Sequence, residues 1–107
     1  YYEMKKLDLA MQAMQRAVDA DPGSSKALGS LGHYWYALSE QREEESDFSG
    51  AQDAIRSSLK LYERAISAGG TNYLEYRKAA KARISDLERL KAVAKTNGLT
   101  RVPLGQE

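Results

Sequence analysis

Between Ala10 and Trp35 the chain spaces small and large residues at helical offsets on both sides of an Asp21-Pro22 break. Ala10, Met14 and Ala17 recur at intervals of four and three, and Pro22 follows five later. Beyond the break stand Leu28, Leu31, Gly32 and the aromatic run Tyr34-Trp35-Tyr36. Proline disfavours helix in the residue before it and Gly23 accepts the turn, so the segment predicts two helices joined by a tight reversal. An interior glycine weakens a helix by about 1 kcal/mol relative to alanine. Gly32, inside the second helix, therefore predicts that a neighbouring helix comes close there, and Gly29 either serves the same approach or leaves room in a groove. A chain so patterned is confined to helices packed side by side.

Hydrophobic periodicity places four helices. The first is expected over 3–20, with Leu7, Ala10, Met11, Met14, Ala17 and Val18 on one stripe. The second is expected over 26–44, capped by Ser24 or Ser25, either of which accepts a backbone N–H lacking an intrahelical partner. Its stripe is Leu28, Leu31, Trp35 and Leu38, flanked by Ala27, Tyr34 and Ala37. After a connection from Glu45 to Gly50, Ser49 and Gln52 fit a capping box opening a third helix over 51–68. Ala54, Ile55, Leu59, Tyr62, Ala65 and Ile66 share one side of it. Gly69-Gly70 ends that helix, and Thr71, or Asn72 with Glu75, caps a fourth over 72–96. This last helix carries Tyr73, Tyr76, Ala80, Ile84, Leu87, Leu90 and Ala94, and Gly98 closes it. The expected fold is all-α, one helical domain over 1–97, with 98–107 as a tail or linker.

Composition narrows the function more by exclusion than by indication. The chain has 107 residues, enough for one domain with a real core. No apolar run nears the roughly 18 residues that cross a bilayer, and the start does not resemble a signal peptide. Tyr1 is not an initiator methionine, so the sequence reads as a fragment. The absence of cysteine excludes disulfides and thiol chemistry, and fits the cytoplasm and the periplasm alike. His33 is the only histidine, which rules out multi-histidine zinc sites within one chain. No Gly-x-Ser-x-Gly elbow or phosphate-cradling glycine loop is present. Glu43, Glu44 and Glu45 are consecutive, so they splay around a helix axis and do not converge on a cation. No catalytic residue, metal or cofactor is expected.

The net charge of +1 hides an asymmetry. Glu40, Glu43, Glu44, Glu45, Asp47 and Asp53 face a single Arg42 in the middle of the chain. From Thr71 to Asn97, Arg77, Lys78, Lys81, Arg83, Arg89, Lys91 and Lys95 outnumber Glu75, Asp86 and Glu88. The plainer reading is two solvated helix faces. The sharper one is complementary ends that steer a partner or drive self-association.

The helix-break-helix pattern resembles the tetratricopeptide repeat, a 34-residue helix-turn-helix unit with Leu-Gly in its first helix and Ala, an aromatic and Pro in its second. Ala10 through Pro22 match a second helix, whose missing first half, with Tyr1 at its aromatic position, would lie upstream. Leu28, Leu31, Gly32 and Trp35 match the first helix of the next unit. Its second helix returns at Ser58, Tyr62, Ala65 and Gly70 after an insertion of about 14 residues relative to the repeat. There Ser58 stands for the usual Ala and Gly70 for the usual Pro. The insertion implies lengthened second and third helices ending in an acidic hairpin. The fourth helix has Ala79 and Ala80 where Leu-Gly belongs, and so resembles the terminal capping helix of such arrays. A plain antiparallel four-helix bundle is the rival arrangement. Helices three and four also resemble, more faintly, the three-helix microtubule-interacting-and-trafficking module, in which the Asp-Pro break and Gly32 have no role.

The resemblance implies a ligand groove along the first helices of each unit, here helices two and four. Carried over position by position, it selects Lys26, Gly29, His33 and Tyr36 on helix two, and Arg77, Lys78 and Lys81 on helix four, with Ile84 and Ser85 farther along. These would form a basic, aromatic-bordered trough with a glycine floor, suited to an acidic or carboxylate-bearing protein segment. Gly29 and His33 occupy the places of the family's carboxylate-clamp residues, so no clamp is implied. The leading expectation is a non-catalytic protein-interaction scaffold. One alternative is a self-assembling subunit, because Leu7, Met11 and Met14 would be exposed if helix one lacks its upstream partner. Another is weak nucleic-acid binding through the basic last helix, with Tyr73 and Tyr76 stacking on bases.

Overall fold

The structure, a computed structural model, describes residues 4–105, with side chains over 6–96. The expected position of Tyr1 and the expected helix start at Glu3 lie outside the described residues. Four α-helices follow one another: α1 (Met4–Ala20), α2 (Ser25–Glu44), α3 (Phe48–Ser67) and α4 (Leu74–Gly105), the last preceded by a 3-10 turn at Thr71–Tyr73. The chain is all-α and 89% helical, with no strand among the described residues. Each helix packs chiefly on the next, α1 on α2, α2 on α3 and α3 on α4. This serial order gives a flat, elongated body of 59 × 28 × 19 Å.

The helix ends show which local signals prevail. Ser24 caps α2 as expected, its Oγ accepting the Ala27 N–H at 3.2 Å. At α3 the expected Ser49 box is displaced. The helix begins three residues earlier than expected, and Asp47 is its cap, accepting the Gly50 N–H at 3.0 Å. A carboxylate at a helix N-terminus gains from the backbone dipole as well as the hydrogen bond, an advantage a serine hydroxyl lacks. Arg42 then donates to the Gly50 carbonyl at 3.1 Å and ties the two arms of the hairpin together. At the end of α3, Gly69 takes φ +101°, and the Gly70 N–H reaches back to the Ala65 carbonyl at 2.8 Å. That left-handed closure favours glycine. Neither Thr71 nor Asn72 caps α4; the 3-10 turn leads into it without a side-chain cap. Nor does Gly98 end α4, which continues to Gly105. A single glycine costs about 1 kcal/mol, which does not by itself stop a helix.

The core lies on both sides of α2. Leu28 and Leu31 join Val18, Ile55, Leu61, Tyr62, Tyr73, Ala80 and Leu87 in the main cluster. Leu7, Leu38 and Ala54 form a second, with Met11 and Trp35 packed against both. Leu7 is completely buried and Met11 and Met14 are half-buried, so the expected exposed stripe on helix one is instead covered by α2 and α3. Burial of a leucine side chain contributes about 1.5–3 kcal/mol. On α3 the buried face includes Gln52 and Ser58, while the expected core residues Leu59 and Ile66 are only partly covered. On α4, Tyr76 and Leu90 lie on the expected stripe yet remain exposed.

Both glycines of α2 make close approaches, Gly32 to a neighbouring helix as its position predicts and Gly29 to Tyr73 in the turn before α4. A methyl carbon at Gly32 would stand 2.8 Å from Tyr62 Cε1 and 3.4 Å from the Ser58 carbonyl oxygen. Ser58 Oγ donates to the Gly32 carbonyl at 2.7 Å across this contact. A methyl carbon at Gly29 would collide with the Tyr73 ring. Gly29→Ala is therefore expected to lower the unfolding free energy by about 1–2 kcal/mol, because moving a buried ring outweighs the helix-propensity gain. At Gly23 the added carbon meets only Asp21 Oδ1, at 3.8 Å. Gly23→Ala should stay within about 0.5 kcal/mol of the parent. Urea unfolding followed by circular dichroism compares the two; equal stabilities would contradict the packing.

Candidate binding cleft

Helices α2 and α4 both lie on α3 and meet each other through side chains. Arg83 on α4 is the brace. Its Nε donates to Ser39 Oγ at 2.8 Å, and Ser39 Oγ donates in turn to the Tyr36 carbonyl at 2.7 Å. Arg83 Nη2 lies 2.7 Å from Glu43 Oε1, and the guanidinium carbon sits 5.5 Å from the centroid of the Tyr36 ring. Arginine suits this position because its planar group pairs, donates and stacks at once. On the α3 side, Gln52 donates to Glu88 and accepts from Lys91 Nζ at 3.4 Å, clasping α3 to α4.

Beside the brace a cleft of about 330 Å³ opens between α2 and α4. His33, Tyr36, Ala37 and Glu40 line it from α2, Tyr62 from α3, and Tyr76 and Ala79 from α4. Tyr62 is buried, whereas Tyr76 stays 46% exposed. The His33 ring packs edge-on to Tyr76 with centroids 4.5 Å apart, and its Nδ1 lies 2.7 Å from the Tyr62 hydroxyl. Tyr62 and Tyr76 stack at 5.8 Å, and Tyr73 lies 6.1 Å from Tyr62 behind them. Burial lowers the His33 pKa below its ordinary value, so the imidazole is neutral at pH 7. A neutral ring that accepts the Tyr62 proton on Nδ1 carries its own proton on Nε2. Burial, opposed by a Ser58 hydrogen bond, pushes the Tyr62 phenol up to about 12. Burial also raises Tyr36, with Arg83 opposing. The Tyr36 and Tyr62 phenols are thus protonated near neutrality, and Glu40 supplies the one formal charge among the lining residues.

Of the residues selected from sequence, His33 and Tyr36 line this cleft. Gly29 does not floor it, because the Tyr73 ring covers that glycine. Lys26 is exposed near the start of α2 and is not a lining residue. At 3.6 residues per turn, Lys78 and Lys81 fall on the side of α4 away from Tyr76 and Ala79. Arg77 shares the stripe of Ile84, Glu88 and Lys91, which faces α3. The basic trough is therefore not formed, and an aromatic cleft with one carboxylate stands beside where it was expected. Tyr73, offered as a base-stacking residue, is only 7% exposed and is committed to Gly29. Sequence reasoning missed Glu40, Tyr62 and Arg83 as site residues. The available signal was Tyr76, Ala79 and Arg83 at i, i+3 and i+7, a single stripe on α4.

Comparison with family models, curated proteins and solved structures yields no match for the chain. No described helix is long and apolar enough to cross a membrane. Among the described residues no three His, Cys, Asp or Glu side chains are grouped to hold a metal ion.

The lowered His33 pKa has a stability consequence. The folded state binds fewer protons at this site than the unfolded chain, so stability is fully present above the ordinary histidine value and lost as pH falls through it. Unfolding free energy should decline as pH falls below the ordinary histidine value of 6.5, and His33→Gln should flatten that decline. Urea titrations on both sides of that value check it, and an unchanged slope in the variant would contradict the assignment.

Proposed function

We propose that this chain is a non-catalytic protein-interaction scaffold, built as a tetratricopeptide-like stack of helices, that holds a segment of a partner protein across the α2–α4 face. The observation carrying this reading is the cleft where three helices converge on His33, Tyr36, Tyr62 and Tyr76. Tyrosines with buried bodies and accessible edges are the side chains that dominate binding energy at protein interfaces. The serial packing of α1 to α4 supports a stacked arrangement over a closed bundle, since a bundle would bring α1 against α4. The match of Ala10 to Trp35 to the repeat pattern points the same way.

The test is selection of random 12-residue peptides on the purified chain, followed by NMR mapping of the binders. Peptides should perturb the ring signals of His33, Tyr36 and Tyr76. Tyr76→Ala should weaken them roughly tenfold or more while leaving helicity intact, because the ring is half-exposed. Binders that map elsewhere, or that ignore Tyr76→Ala, would overturn the reading.

A further inference from the structure

We infer that the α2–α4 cleft seats a cationic side chain of the bound segment, a lysine ammonium or an arginine guanidinium, between the tyrosine rings and the Glu40 carboxylate. This deepens the segment-binding reading and rests on it. It also reverses the charge of the partner that the sequence alone implies.

Three features of the cleft agree. Its lining contains Glu40 and no lysine or arginine. Tyr76, the half-exposed ring of the lining, carries the negative side of an aromatic quadrupole on its face, which attracts cations within about 6 Å of a ring centroid. Arg83, the nearby cation, is engaged by Glu43, Ser39 and the Tyr36 ring and does not line the cleft. It leaves Glu40 as a carboxylate without a cation in the cleft. A carboxylate from a partner would meet the Glu40 carboxylate in the lining. The volume of about 330 Å³ is at the small end for ligand pockets, the scale of a single side chain. Partial desolvation against a ring strengthens the attraction of a cation to its π face.

Four small probes separate charge from shape: the Nα-acetyl amides of lysine, arginine, norleucine and glutamate. Norleucine keeps the aliphatic stem of lysine and lacks its ammonium. Titrations followed on the His33 and Tyr76 ring resonances should saturate with the lysine and arginine probes. Norleucine should bind at least fivefold more weakly and glutamate more weakly still. Glu40→Gln should weaken the two cationic probes about three- to tenfold and leave norleucine unchanged, with an unaltered circular dichroism spectrum because Glu40 is exposed. Equal binding of norleucine and lysine, a preference for glutamate, or indifference to Glu40→Gln would overturn the inference. Selected peptides that enter the cleft through acidic or apolar side chains overturn it while leaving the segment-binding reading standing. Peptides that map away from the cleft overturn both.

Discussion

Gly29 and Gly32, one helical turn apart on α2, let a tyrosine from each neighbouring element settle against the helix backbone. Tyr62 comes from α3 and Tyr73 from the turn before α4. A side chain at either position would hold its neighbour off, as the 2.8 Å approach at Gly32 makes plain. Ser58 reinforces the contact by donating to the Gly32 carbonyl, a bond available only because the helices are that near. Two glycines in a helix interior cost about 2 kcal/mol of propensity, which the burial of two aromatic rings offsets.

The cleft follows from that seating. With Tyr62 and Tyr73 drawn in against α2, His33 between the glycines and Tyr36 lies over the Tyr62 hydroxyl, and Tyr76 closes against the imidazole. Arg83 then fixes α4 relative to α2 by joining Ser39, Glu43 and Tyr36. The rings are held by packing on one side and by a charged brace on the other. The cleft opens between those rings and that brace.

Much of the fold was legible because it rests on local chemistry. The Asp21-Pro22 break, the Ser24 cap and the Gly69 closure each act within a few residues, and the all-α class follows from them and the apolar stripes. Gly32 even announced its neighbour. The charge of the site was not legible, for a long-range reason. Whether Arg77, Lys78 and Lys81 face α2 depends on the rotation of α4, which Tyr73 sets by docking on Gly29. The same rotation brings Arg83 and Tyr76 inward. Likewise, Gln52 looked like a capping residue because its partners Glu88 and Lys91 are 36 and 39 positions away. The Asp47 cap was missed because Ser49 satisfied the same local rule.

The ring-on-glycine contacts are directly visible to NMR. Through-space correlations should run from the Gly29 α-protons to the Tyr73 ring and from the Gly32 α-protons to the Tyr62 ring. The Gly29 α-protons should also be shifted upfield by the ring current above them. Glycine α-protons at their ordinary helical shifts, with no correlation to either tyrosine, would contradict the seating on which the cleft depends.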